Sequence, residues 1–97
     1  MKFDWDENKN SANKIKHGIS FEEAETVFED EMAVTIFDEE HSENEDRFKI
    51  IGISRKLREV TVCHCYRDEN DGEVTRIISA WRASKNEIKL YERGFGL

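Results

Sequence analysis

Three stretches of sequence decide the fold: FKIIGI at residues 48–53, EVTVCHCYR at 59–67 and VTRIIS at 74–79. β-Branched and aromatic residues dominate all three, and such residues favour strands. The connections between them are short, and DENDG at 68–72 is typical of a turn. Because short connections join neighbouring strands antiparallel, and AVTIF at 33–37 has the same strand character, the sequence predicts a four-stranded antiparallel meander.

Two helices are predicted before the strands. The first runs from a cap at Asp6 to about Lys16, and its apolar residues recur at spacings of three and four. The second covers about residues 21–29, where Ser20 and Glu23 have the form of a capping box. Both boundaries therefore rest on local capping chemistry.

A last helix is predicted over about residues 83–92, and Gly18 is expected to end the first one. The predicted element order is ααββββα. This order indicates an α+β fold in which the helices gather on one face of the sheet. The opposite face would then be partly open to a ligand.

The length of 97 residues indicates one domain, residues 1–97, with a single core. No stretch approaches the roughly 20 apolar residues of a membrane helix, and the amino terminus lacks a signal-peptide pattern. Cys63 and Cys65 are one residue apart, too close along a strand to bond without strain, which suits a reducing compartment. We therefore expect a soluble, cytoplasmic protein with no membrane partner.

Charge is divided unequally along the chain. Residues 1–46 carry 4 Lys or Arg against 15 Asp or Glu, whereas residues 47–97 carry 11 against 7. Six of the acidic residues fall within 38–46, which is predicted to be an exposed loop. An acidic half joined to a basic half is typical of a chain with two different partners, although solvated surface charge explains the same counts.

Several blocks of the sequence resemble one bacterial family. They lie in the family's order and span nearly the whole chain: FDWDENK at 3–9, Asn13, KHGISFEEA at 16–24, His41-Ser42, Glu45, Arg47, Gly52, Ile77 to Ala80, Arg82-Ala83 and Glu87 to Tyr91. The chain thereby resembles the BrnT family, the ribonuclease toxins of type II toxin–antitoxin modules.

The resemblance implies a RelE-like fold and a toxin that cleaves RNA without a metal and so blocks translation. It also implies a partner, the BrnA-like antitoxin, with operator DNA bound only through the antitoxin complex. No cofactor is expected.

One position departs from the family pattern. Relatives often carry two basic residues after the Ser-Ala pair, whereas this chain has Trp81 followed by Arg82. Trp81 either stacks on an RNA base or packs where the last strand meets the last helix. The departure motivates a second hypothesis, a non-catalytic module of the same fold that binds protein or RNA.

Metal-free RNA cleavage needs a base for the 2′-hydroxyl, an acid for the leaving oxygen and cations for the developing charge. The candidate catalytic residues lie on or beside the predicted strands and the last helix: Arg47, Arg67, Arg76, Arg82 and His64. The candidate RNA-binding residues are Lys49, Trp81 and Lys85. Arginine is favoured because its planar guanidinium binds phosphate through two contacts.

Each candidate also has a structural interpretation. Arg47 and Arg67 adjoin acidic segments and either pair with neighbouring carboxylates or bind phosphate. Arg76 alternates with apolar neighbours and lies either at the rim of a buried face or out of pattern. His64 is either a general base or a hydrogen-bonded core histidine. Arg82, inside a family block, is the strongest single candidate.

The other histidines and the cysteines suggest little further chemistry. Cys63, His64 and Cys65 do not make a zinc site, because alternation on a strand places His64 opposite both cysteines. His17 lies at a helix end, where a cation is favoured. His41, in the acidic loop, has no clear role. Direct DNA binding by this chain alone is disfavoured, because no helix is rich in Arg and Lys.

Overall fold

A computed structural model describes residues 1–94. The strands are β1 (Lys2–Asp4), β2 (Val34–Phe37), β3 (Phe48–Ile53), β4 (Glu59–Glu69) and β5 (Gly72–Arg82). The helices are α1 (Glu7–His17), α2 (Phe21–Val27) and α3 (Lys85–Arg93), and a single 3-10 turn covers Glu39–His41. The α+β class and the three predicted helices are confirmed.

The sheet has five strands in the order β1-β5-β4-β3-β2. Strands β2 to β5 form the predicted antiparallel meander, but β1 pairs parallel with β5, with Phe3 opposite Thr75. The prediction of four strands, all antiparallel, is therefore wrong. A segment of three residues is too short to show the two-residue alternation of a strand, and its partner in β5 lies about 70 positions away in the sequence. The local sequence therefore could not predict β1.

Both ends of α1 and the start of α2 lie where local chemistry predicts, whereas α2 ends at Val27, two residues before the predicted position. The Asp6 side chain accepts from the backbone of Asn8 at 2.8 Å, and Gly18 adopts a left-handed φ of 71°. Ser20 accepts from the Glu23 backbone at 3.0 Å, but the Glu23 carboxylate does not complete a capping box. It binds Arg58 instead, and the complete capping box is that of Ser84 at the start of α3.

The core lies between α1 and α2 and one face of the sheet, which we call the core face. Its buried side chains come from the helical segment and from the three central strands: Ile19, Phe21, Ala24, Val27, Ile50, Val60, Val62, Ile77 and Ala80. Beyond the end of β1, Asn13 of α1 bonds the Ala80 backbone at both N and O, at 3.2 and 2.8 Å. A side-chain amide thereby continues the sheet edge that β1 leaves open.

The third helix packs on the opposite, second face of the sheet. Glu87 of α3 accepts hydrogen bonds from Thr61 Oγ1 at 3.0 Å and Trp81 Nε1 at 3.1 Å. Thr61 alternates with the core residues Val60 and Val62, so its side chain points away from α2. The expectation that all helices share one face is therefore wrong, and α3 closes one half of the second face.

A β-bulge in β5 determines which side chains lie on the half of the second face that α3 leaves open. Cys63 lies opposite Ser79 and His64 opposite Ile77, so Ile78 is the extra residue and has no register partner. The bulge keeps Ile77 and Ala80, three residues apart, in the core. It also places Arg76 on the second face, opposite Cys65.

Candidate functional site

The open half of the second face is cationic. Lys49 of β3 lies opposite Cys63 of β4, and Arg67 follows two residues after Cys65 on the same face. Arg76 of β5 lies opposite Cys65, and Arg47 precedes β3 on the same side. We call Arg47, Lys49, Arg67 and Arg76 the cationic face. Neighbouring strands lie about 4.8 Å apart, so four predicted residues of three strands share one surface.

Carboxylates pair with the three arginines of this face. Glu45 lies between Arg47 and Arg67, at 3.6 and 3.9 Å, and Arg76 binds Asp4 of β1 at 3.0 Å. Among residues 1–94, Lys49 makes no ion pair. The pairs of Glu45 are long and partly solvated, and such pairs contribute about 0–1 kcal/mol. A phosphate group can therefore displace Glu45 at small cost.

The acidic loop (residues 38–46) is ordered by its own hydrogen bonds. Asp38 N donates to Arg47 O at 2.8 Å, which closes the loop. Ser42 Oγ donates to Asp38 O at 2.6 Å and accepts from Arg47 N at 2.9 Å. The prediction of a wholly exposed loop is wrong at Asp38, whose side chain is 2% exposed.

His41 and Asp38 form a hydrogen-bonded pair in this loop. His41 Nδ1 lies 2.9 Å from Asp38 Oδ2, and the His41 side chain is 58% exposed. His41 borders a cavity of about 510 Å³ whose lining comes from the loop and the residue before β3: Glu40, His41, Glu43, Asn44, Glu45 and Arg47. Sequence reasoning missed this pair, although His41 lies in one of the family blocks.

Two cysteines lie beneath the loop. Burial and the Asp38 carboxylate raise the pKa of Cys63 to about 11, against the opposing effect of Arg47 and Lys49. The thiol therefore stays protonated at neutral pH, and its Sγ lies 3.9 Å from Asp38 Oδ2 as a weak donor. Burial also raises the pKa of Cys65. Neither thiol is a ready nucleophile or metal ligand.

The residues that could converge on a metal ion are few. Within residues 1–94 the group Asp38, Glu40 and His41 offers one ligand atom each, all within 4.8 Å of one another. The hydrogen bond between His41 and Asp38 accounts for the closeness of two of them. We do not assign these residues as metal ligands, because the bond already engages the Nδ1 and Oδ2 atoms.

His64 lies on the other side of the sheet and is fully buried. Its Nδ1 lies 3.1 Å from Val62 O and its Nε2 lies 3.0 Å from Tyr66 Oη, while Phe28 contacts the ring edge-to-face. Burial lowers the pKa of His64, and the bond to Val62 O opposes this only in part. These are the contacts of a hydrogen-bonded core histidine, and they do not bring His64 to the cationic face.

Arg82, Trp81 and Lys85 lie at the far end of β5. Arg82 is opposite Val60, and six residues, about 20 Å of strand, separate it from Arg76. Its side chain is exposed and has no ion pair or hydrogen bond within the described part of the chain. Trp81 donates to Glu87 and lies beside His17, with ring centroids 6.4 Å apart, so it packs at the junction of strand and helix. The structure thus divides the predicted site into two patches and a core histidine.

Fold and site together define a class: a small α+β protein with a cationic sheet face beside a hydrogen-bonded histidine. The chain matches, over residues 5–87, the family described as "Ribonuclease toxin, BrnT, of type II toxin-antitoxin system". The chain therefore belongs to the BrnT family of ribonuclease toxins, and the resemblance seen in the sequence is confirmed. Membership of a type II toxin–antitoxin family implies a protein antitoxin as its partner.

A solved structure supports the same assignment. The chain is similar to the ribonuclease toxin BrnT of Brucella abortus, whose crystal structure was determined at 1.1 Å resolution, with 28% sequence identity and a TM-score of 0.62. The match covers 88% of this chain and 99% of that chain. A search of curated proteins gives no match. In residues 1–94, none of the helices has the length and apolar character that crossing a bilayer requires.

Proposed function

We propose that this chain is a metal-independent endoribonuclease that blocks translation by cleaving RNA, and that the RNA backbone lies along the cationic face. The observation that carries the proposal is the convergence of Arg47, Lys49 and Arg67 on one surface of a ribonuclease-family fold. Cations that share one surface can neutralise a phosphodiester and the extra charge of its transition state. Arg76 extends the same surface toward β1.

The second patch supplies a further RNA contact in this proposal. Arg82 is exposed and unpaired within the described residues, and Lys85 begins α3 beside it. Because the patch is about 20 Å along the strand from Arg76, it contacts a different part of the RNA from the phosphate that is cleaved. Trp81 offers only a ring face, since its indole N–H is bound to Glu87.

The remaining assignments follow from this function. We propose a RelE-like fold for the whole chain as one domain, supported by the antiparallel meander and the single core beneath α1 and α2. The partner is a BrnA-like antitoxin that reaches operator DNA in the complex and must oppose the cationic face. The site of action is the cytoplasm, where the RNA is.

The proposal is tested with the purified full chain and a labelled RNA in the presence of EDTA. We expect cleavage that leaves a 2′,3′-cyclic phosphate and a 5′-hydroxyl. Arg67→Ala should weaken RNA binding by about 10-fold or more, because it removes charge-assisted hydrogen bonds of roughly 1.5–3 kcal/mol. Arg55→Ala is the matched control, because Arg55 is an exposed arginine paired with Glu29 and remote from the site. Cleavage that disappears with EDTA would contradict metal independence.

One observation favours the non-catalytic alternative. All three arginines of the cationic face are paired with carboxylates, and Trp81 stands where relatives often have a basic residue. A folded wild-type chain that binds RNA or an antitoxin and leaves RNA intact with and without divalent ions would support the binding module. Induced expression of the chain alone, which should arrest growth if it is a toxin, gives an independent readout.

A further inference from the structure

We propose that His41 is the general base of the cleavage reaction and that Asp38 positions it. The inference rests on the proposed ribonuclease function and names the group that takes the proton from the 2′-hydroxyl. His41 lies on the cavity that Arg47 also lines, so a proton acceptor and a phosphate-binding cation border the same space.

The hydrogen bond to Asp38 determines which nitrogen of His41 is available. An ionised carboxylate only accepts hydrogen bonds, so at 2.9 Å from Asp38 Oδ2 the Nδ1 atom carries the hydrogen. In the neutral ring Nε2 is then the nitrogen with the free lone pair. No other described residue bonds this nitrogen, and the side chain is 58% exposed. His41 thus presents a proton acceptor to solvent and substrate.

Asp38 is itself held in place. Its side chain is 2% exposed, and the backbone bonds of Asp38 to Arg47 and Ser42 tie the two ends of the acidic loop together. The Cys63 thiol approaches the same Oδ2 atom from β4. A carboxylate fixed in this way orients the imidazole and stabilises the imidazolium that forms when the ring takes a proton. Glu40, which also borders the cavity, adds to that stabilisation.

Neither of the other histidines offers the same arrangement. Both ring nitrogens of His64 are engaged in the core, on the opposite face of the sheet. His17 lies at the end of α1, beside Trp81 and away from the cationic face. His41 therefore combines an oriented ring, an open nitrogen and a neighbouring arginine.

In the proposed step, the proton of the 2′-hydroxyl passes to His41 while the phosphodiester bond is broken. The 2′-O–H bond breaks as Nε2 of His41 takes its proton, the 2′-oxygen bonds to phosphorus, and the bond from phosphorus to the 5′-oxygen breaks. The leaving 5′-oxygen takes a proton from water. The hydroxide produced then takes the proton from His41, which restores the neutral ring and leaves a cyclic phosphate and a 5′-hydroxyl.

The test compares kcat and KM for RNA cleavage, in EDTA, of the wild-type chain and two variants. His41→Asn keeps an N–H donor near the position of Nδ1, so Asp38 stays paired, but it removes the acceptor at Nε2. Asp38→Asn presents an amide to the ring and favours the other tautomer. We expect kcat to fall about 100-fold or more in each variant, with KM changed less than about threefold. His17→Gln is the control and should keep wild-type kcat.

Three results would overturn the inference, and they are distinguishable from failure of the proposed function. If wild-type and His41→Asn cleave at equal rates, the ribonuclease proposal stands and His41 is not its base. If cleavage requires a divalent ion, Asp38, Glu40 and His41 are a metal site instead. If the folded wild-type chain does not cleave RNA at all, the proposed function fails and this inference fails with it. Thermal unfolding of each variant shows whether it is folded, and added imidazole should partly restore kcat to His41→Ala.

Discussion

Glu23 and Glu45 both bind arginine, and they lie on opposite sides of the sheet. Glu23 of α2 is buried, receives Ser54 Oγ at 2.7 Å and binds Arg58 through both carboxylate oxygens. The Glu45 side chain is 38% exposed and lies between Arg47 and Arg67, at 3.6 and 3.9 Å. Although burial opposes it, hydrogen bonding from Arg58 and Ser54 holds the pKa of Glu23 below its usual value.

The difference between these two sites separates stability from function. Removing one partner of a buried pair leaves an uncompensated polar group, whereas an exposed pair exchanges easily with water or another anion. The Glu23 site therefore holds α2 to the turn between β3 and β4. In the Glu45 site the carboxylate pairs with two arginines, and a phosphate that binds these arginines displaces it. The histidines divide in the same way, since His64 is enclosed and His41 is open.

The largest expected effect is on the buried side. Glu23→Ala should lower the free energy of unfolding by about 3 kcal/mol, because it removes the carboxylate partner of Arg58 and the acceptor of the Ser54 hydroxyl. Urea denaturation at neutral pH measures this change. Glu29→Ala, which breaks the exposed pair with Arg55, is the control and should cost no more than about 1 kcal/mol. Equal losses of unfolding free energy in both variants would contradict the view that the buried pair contributes more stability than the exposed pair.

An intermediate effect is expected at His64. Because burial lowers its folded pKa, the neutral ring stabilises the fold at high pH, and this contribution is lost as pH falls below the unfolded value near 6.5. Between pH 7.5 and 5.5 the wild type should lose up to about 1.4 kcal/mol that His64→Phe does not lose. Urea denaturation at both pH values gives the comparison.

A control for His64 separates charge from hydrogen bonding. Tyr66→Phe removes the bond to Nε2 but leaves the imidazole buried, so it should keep the pH dependence of the wild type. If His64→Phe loses as much stability in acid as the wild type, the pH dependence comes from other groups.

The smallest effect is expected on the open side. Glu45→Gln should improve RNA binding by up to about fivefold at low salt, since it releases Arg47 and Arg67, while the free energy of unfolding changes by less than about 0.5 kcal/mol. RNA titrations at low and high salt measure it, and the gain should shrink as salt rises. Glu43→Gln is the matched control because Glu43 borders the same cavity but makes no ion pair within residues 1–94. An equal gain in RNA affinity in both variants would mean that the negative charge of the loop as a whole, and not the ion pairs of Glu45, weakens RNA binding.

Much of the fold could be predicted because its signals are local. A helix cap such as Asp6 or Ser20 acts on backbone groups two or three residues away, and a strand such as Phe48–Ile53 shows its character within six residues. The same locality explains the failures. Strand β1 and the face chosen by α3 depend on partners far along the chain, so no window of sequence contains them.

The candidate site was predicted in its residue types but not in its grouping. Arg47, Lys49, Arg67 and Arg76 are on one surface, whereas Arg82 lies six positions further along β5. Because the bulge at Ile78 changes the alternation of β5, Arg82 lies opposite Val60 of the core face while Arg76 lies opposite Cys65 of the second face. His41 could not be given a role from sequence, because its significance depends on Asp38 being buried. Burial depends on how distant elements pack, and the residues next to Asp38 in the sequence do not indicate it.

The sequence by itself determined the helices, the antiparallel meander, the divided charge and the family, since each of these is written in short-range patterns or in blocks of residues. Only the tertiary structure decided which side of the sheet each cation and histidine occupies. The physical reason is that a side chain's face depends on register, bulges and the packing of distant elements. Enclosure of His64 and exposure of His41 both follow from that packing.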